Sequence, residues 1–394
     1  MDGPTKINTH DFILKYPNLL RNLNMRYPLI IILILLFHVR CTPTNTAMHG
    51  HASKKTIQYS QTLEILETGE SVRVHIHHPE NQTIQRYLLA KKKPAKMPHA
   101  YTFIQIPIAS IAVMSGTHVG MLSKLESIPI ITGISDKKYI FNQTLRKRLN
   151  TGHVSSMGSE ENTNFEKLLL LRPSVLMYSG FSKEFPRAHQ LKRAGIACIA
   201  NFDWKENHPL GRAEWLKLFG YLVGKEKEAI AYFKEIEKSY VAIQQNAAKY
   251  KEKPTVLSGN LIGDLWYAPA GESYFAQLFT DANTSYVYAA GKGHGSLALT
   301  IEQVIASHRS ASFWFNPGFS TIKSIQKNTP KANYLEALKK NNTYCYSHNS
   351  NKFWELSAIE PHHLLSDIVQ VSHPSKANKK TLYFYKKVSH EVEK

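Results

Sequence analysis

Between Tyr59 and Leu89 apolar and polar residues alternate with the period of a half-buried strand. The alternation predicts strands over 63–66, 72–76 and 84–89, with Glu67-Thr68-Gly69-Glu70 and His78-Pro79-Glu80-Asn81 as turns. Lys91-Lys92-Lys93-Pro94 reads as a solvated linker. A buried strand over 111–114 then runs into Ser115-Gly116-Thr117-His118, and apolar spacing turns helical over 119–125. A strand at 130–134, a helix at 188–194 and a strand at 196–200 continue the alternation of types.

One pattern is written twice. Asn164-Phe165-Glu166-Lys167-Leu168 leads through Arg172-Pro173 into Val175-Leu176-Met177-Tyr178 and Gly180. Thr300-Ile301-Glu302-Gln303-Val304 leads through His308-Arg309 into Phe313-Trp314-Phe315 and Gly318. Each unit predicts a capped helix with an acid in its first turn, a polar turn, and a buried strand ending at a glycine loop. Between the units, from 212 to 251, apolar residues recur every three or four positions, interrupted at Gly224. The second part, about 24 residues and some 36 Å long as a helix, can bridge two lobes.

The predicted fold class is therefore α/β: two similar lobes with central parallel-rich sheets, one long connecting helix, and an N-terminal β-hairpin segment. The expected boundaries are 1–41 for an export region and 42–100 for the N-terminal linker and hairpins. They continue as 101–224 for the first lobe, 225–252 for the connecting helix, 253–374 for the second lobe and 375–394 for a basic C-terminal tail.

Composition narrows what such a body can do. The chain has 394 residues, 43% of them apolar, enough for two cores. Its formal charge of +19 favours anionic surroundings or an anionic ligand. No zinc-finger spacing, RNP-like motif or continuous basic helix accompanies that charge, so nucleic acid is not an expected partner. Gly-x-Ser-x-Gly, His-Glu-x-x-His and Walker sequences are also missing, and no catalytic residue is assigned. Gly291-Lys292-Gly293-His294-Gly295 reads as the loop before the strand at 296–299 rather than as a phosphate loop.

Three cysteines exclude a disulfide framework, and Cys198 and Cys345 lie in strand-like runs as small core residues. Cys41 differs: Met25-Arg26 supplies a charged start and residues 28–39 an apolar stretch too short to span a bilayer, as in a signal peptide. A cysteine after such a stretch looks like a lipoprotein site, although Arg40 stands where a small residue usually precedes it. His75, His77 and His78 are close together, with His362-His363 downstream, but lack an acidic or cysteine partner at fixed spacing. No resident metal site is expected from them.

The order of motifs resembles the periplasmic binding proteins that deliver cobalamin, haem and ferric siderophores to ABC importers. The residues that carry the resemblance are Ile111 to His118, Gly152 to Met177, and Pro209 to Trp215. They continue through Trp266 to Tyr274, Gly295 to Glu302, Phe313 to Gly318, and Asn351-Lys352-Phe353-Trp354-Glu355. The later motifs are especially similar to the Bacteroidetes branch, and the likeness covers about residues 57–374. It implies a monomer without a cofactor of its own, tethered to a membrane through Cys41. Such a protein captures a metal chelate or corrinoid and docks on an ABC permease that works with its ATPase.

Family docking acids at the top of each lobe match Glu166 and Glu302; on local chemistry the same acids suit helix N-termini, and both roles stand. Ligands of open α/β sheets bind beyond the carboxyl ends of the strands. In the first lobe that places Ser115, Thr117, His118, Ser159, Tyr178, Phe181, Asp203 and Trp204 at the cleft, His118 as a candidate axial ligand to a bound metal. In the second it places Asp264, Trp266, Tyr267, Asn316, Phe319 and Trp354 there. Two other readings remain: an exported two-lobed transferase acting on a nucleotide sugar, and direct binding of a divalent metal.

Overall fold

The computed structural model describes residues 54–181, 184–376 and 381–390. Cys41 and the export region therefore lie outside the described residues. Among these, no helix is long and apolar enough to cross a membrane.

The alternating N-terminal run forms strands Leu63–Thr68, Ser71–His77 and Ile84–Ala90, paired antiparallel, with Thr102–Gln105 added in parallel and Lys54–Lys55 at the other edge. Because side chains alternate across a strand, one face carries Leu63, Ile65, Val74, Ile76, Tyr87 and Leu89 into the first core. The opposite face holds His75 between Glu64, at 2.7 Å, and the Tyr101 hydroxyl, at 2.6 Å.

Five strands make the first lobe's sheet, in the order Ala197–Ala200, Val175–Tyr178, Ile111–Val113, Ile131–Ile134, Ser155–Ser156. All pair in parallel, so their carboxyl ends share one edge. The exposed side of Ala197–Ala200 is capped by side chains from the N-terminal sheet: Tyr87 Oη donates to the Cys198 carbonyl, and Gln85 Oε1 accepts the Ala200 N–H at 3.1 Å. Unpaired strand edges invite foreign strands, and these two side chains occupy this one.

Helix Glu226–Ala247, 22 residues, leads to the second lobe. There Ser285–Tyr286, Thr255–Ser258, Phe313–Phe315 and Thr343–Cys345 pair in parallel. The fifth strand, Lys386–Lys387, runs antiparallel and belongs to the segment expected as a basic tail. That segment folds back because Phe384, Tyr385 and Val388 bury among its lysines, while Asp367 accepts the N–H groups of Tyr383, Phe384 and Tyr385 at 2.7–2.9 Å. A small antiparallel sheet, Asn260–Ile262, Leu265–Pro269 and Ser296–Leu299, covers one side of this lobe.

Two devices join the lobes. Helix Ser350–Leu356 buries Phe353 in the second core and lays Glu355 against helix Gly116–Lys124 of the first. A Cβ at Gly120 would sit 1.8 Å from the Glu355 carbonyl oxygen, so only glycine admits this approach. The Glu355 carboxylate accepts the N–H groups of Phe141 and Asn142 at 2.8 and 3.1 Å.

The second device is an N-terminal strap. Glu214 accepts the N–H groups of Gln58, Tyr59 and Ser60 at 2.7–2.9 Å. Glu206 accepts the Gln61 and Thr62 N–H groups at 2.9 and 3.3 Å and the Trp215 indole N–H at 3.1 Å. Tyr59 reaches the connecting helix, donating to Glu237 at 2.6 Å.

Candidate functional site

Asn164 and Thr300 cap the repeated helices Phe165–Leu171 and Ile301–His308 by accepting the Lys167 and Gln303 N–H groups at 2.8 and 3.3 Å. In the second unit the reciprocal capping bond comes from Gln303, whose Oε1 accepts the Thr300 N–H at 2.8 Å. Glu166 and Glu302 stand two residues past the caps, exposed, and neither closes a capping box. Glu302 differs in having a partner, Lys331, whose hydrogen bond holds its carboxyl below the usual carboxylate value.

The strand carboxyl ends bring the candidate residues together in separate groups. Ser115 caps helix Gly116–Lys124, and Thr117 Oγ1 donates to the Trp354 carbonyl at 3.2 Å, tying the first turn of that helix to the backbone of a tryptophan that is 47% exposed. Phe181, 63% exposed, and Trp204 pair with ring centroids 5.1 Å apart. The Lys205 ammonium lies 4.5 Å from the Trp204 ring while paired with Glu80 at 2.7 Å. Tyr267 stands out from the small sheet with Leu265 and Ile262 as exposed neighbours, and Asp264 is exposed in the turn between them. Ser159 is exposed and accepts the Asn162 N–H at 3.3 Å.

Several candidates are interior residues instead. His118 is fully buried against Phe219, and with neither ring nitrogen hydrogen-bonded its pKa is pushed down to about 3 by burial. A helix that begins at Gly116 turns position 118 toward the core, away from the cleft. Trp266 is buried beside Trp314, as strand alternation requires once Tyr267 faces out. Tyr178 is buried and accepts the Gln85 amide at 2.9 Å.

Asp203 is buried and receives Arg212 Nη2 at 2.9 Å; burial raises its carboxyl, with the guanidinium opposing. Arg212 also lies 4.2 Å over the ring of Tyr274 in the second lobe, so Asp203 belongs to an inter-lobe bridge. Asn316 spends its side chain on Ser258 and Tyr385, at 3.1 and 2.9 Å, and Phe319 packs half-buried on the second lobe's core.

Sequence reasoning missed Glu160, the buried acid beneath the Ser179–Phe181 loop. Nothing local separates it from Glu161, which is exposed. Arg212 and Tyr274 lie within the motifs Pro209 to Trp215 and Trp266 to Tyr274, but their pairing joins residues far apart in the chain. Cys345 is buried as expected, and Cys198 is half-buried with its thiol pushed up to about 12 by burial. Among the described residues no group of three or more His, Cys, Asp or Glu side chains is placed to hold a metal ion.

A family model described as periplasmic binding protein matches residues 111–348, more than half of the chain. An uncharacterised lipoprotein of Methanocaldococcus jannaschii is 26% identical, the match covering 88% of this chain and 89% of that protein. A periplasmic haem-binding protein of Pseudomonas aeruginosa shares the fold at a TM-score of 0.57 and 15% identity, covering 73% of this chain and all, 100%, of its own. A petrobactin-binding protein of Bacillus subtilis does so at 0.55 and 14%, covering 76% of this chain and 99% of its own.

Proposed function

The chain belongs to the periplasmic binding protein family, and from that premise we propose that it is the substrate-binding component of an ABC importer for an iron chelate, with a corrinoid as the second ligand class. The observation that carries this reading is the Phe181–Trp204 pair, a large apolar surface left open at the carboxyl-end edge of the first lobe's sheet. Burying such rings against a flat ligand is favourable, and Phe181 stands exposed beside the half-buried Trp204. Trp354 at the inter-lobe contact and Tyr267 on the second lobe add aromatic surface. The haem- and petrobactin-binding neighbours agree with a chelate as cargo.

Glu166 and Glu302 are the docking acids of this reading, because each is exposed and neither is needed to close its helix cap. Cys41 is its lipid anchor, in keeping with the lipoprotein name of the archaeal relative. Titrating the purified protein with haemin, a ferric siderophore and cobalamin while following tryptophan fluorescence tests the ligand. Micromolar or tighter saturable quenching is expected for one of them, and failure of all three overturns the proposal. Reversing the charge of Glu166 and Glu302 together is expected to abolish uptake and leave ligand affinity intact; lost affinity would instead make them cleft or folding residues.

A further inference from the structure

Glu160 is a carboxylate almost completely shielded from solvent, and none of the described lysines or arginines forms an ion pair with it. Its bonds go to the loop that follows strand Val175–Tyr178. It accepts the Ser179 N–H, and the Phe181 backbone is also directed at it. Burial raises its carboxyl, against the effect of those bonds.

Two further constraints act on the same loop. The Ser179 carbonyl accepts the Trp204 indole N–H at 2.7 Å. Gly180 takes φ +67°, and a Cβ there would lie 2.3 Å from the Phe202 ring. Ser179 is thus gripped on its N–H side by Glu160 and on its carbonyl side by Trp204. The residue at the loop's tip, Phe181, then lies tilted at 45° against the same Trp204, ring centroids 5.1 Å apart.

A buried acid is costly unless hydrogen bonds compensate for its lost solvation. Here those bonds hold no helix end and join no two lobes. They fix a short loop whose product is one exposed ring lying against another.

We propose that Glu160 is a positioning residue for ligand binding: it holds the exposed Phe181 ring in its tilted contact with Trp204, so that a preformed aromatic corner meets a flat, π-rich ligand. This rests on the cleft reading above. Preorganisation of this kind removes the ordering cost that a mobile Phe181 would add to binding.

The test uses the full chain with Trp354→Phe, leaving Trp204 as the half-exposed indole beside three that are buried, Trp215, Trp266 and Trp314. Glu160→Ala is expected to shift Trp204 emission to the red and to raise its quenching by acrylamide. The same variant should weaken binding of haemin, or of whichever flat probe the parent binds, by roughly three- to tenfold. Glu160→Gln, which keeps an acceptor oxygen, should restore most of both readouts. Should the alanine variant not fold, Glu160→Asp, too short to reach the loop, is measured in its place.

Unchanged quenching and unchanged affinity overturn the inference, as does a fall in thermal stability alone. If no probe binds the protein with Trp354 intact, the cleft reading fails while the Trp204 quenching still decides whether Glu160 positions the pair.

Discussion

His118 shows how a single ring can carry two opposite meanings. As a histidine after a strand it invites metal coordination, but it is buried with its pKa pushed from 6.5 down to about 3 by burial. Below pH 6.5 the unfolded chain takes up a proton that the folded ring refuses. The stability this neutral ring retains is therefore fully present above pH 6.5 and is lost as pH falls toward 3. His118→Leu should flatten that loss: between pH 7 and pH 5 the parent should lose about 2 kcal/mol more than the variant in urea denaturation. Equal losses would place the ring in solvent.

Comparing the two proteins is needed because Glu355 and Asp367, raised by burial to about 7 and about 6, act in the other direction. Their folded forms bind protons more readily than the unfolded chain, so their contribution to stability grows as pH falls through those values.

At the scale of elements, the strap over residues 56–62 converts an irregular segment into part of the scaffold. Glu206 and Glu214 are buried, and backbone N–H groups of the strap supply most of their hydrogen bonds. Lys217 adds a second tie, donating to the Thr56 carbonyl at 2.8 Å and to Glu214 at 2.7 Å. Glu214→Ala strands three part-buried backbone donors and a buried lysine, and should cost about 3–5 kcal/mol in chemical denaturation, with faster proteolysis within the strap. Glu214→Gln should cost less, since one acceptor remains; equal effects would mean that the strap is held by other contacts.

The small sheet illustrates the limit of motif reading at this scale. Trp266 and Tyr267 are neighbours in one motif, yet a strand sends them to opposite faces, so one is core and the other surface.

For the whole molecule, the 22-residue connecting helix, about 33 Å long, sets how the lobes can move. It is packed beside helix Pro361–Ser372 and tied to the strap through Tyr59, while Glu355 and Arg212 bridge the lobes directly. Bending so supported a helix is costly, and ligand binding should leave X-ray scattering profiles nearly superimposable. A large contraction on saturation would locate a hinge elsewhere.

The order of strands and helices, the doubled unit with an acid in the first turn of each short helix, and the long helix were legible in the sequence, because period, caps and turns are local properties. Which aromatic stays exposed was not: His118, Tyr178 and Trp266 look as suitable as Phe181 until the helix start and strand alternation bury them. The pairings that join the lobes, Asp203 with Arg212, Thr117 with Trp354, and Gly120 against Glu355, connect residues far apart in the chain. Glu160 was hidden for the same reason, since its partners Ser179 and Phe181 reach it only after the sheet has formed. Local chemistry determined the elements; burial and long-range hydrogen bonds, which exist only in the packed chain, decided which side chains are left to meet a ligand.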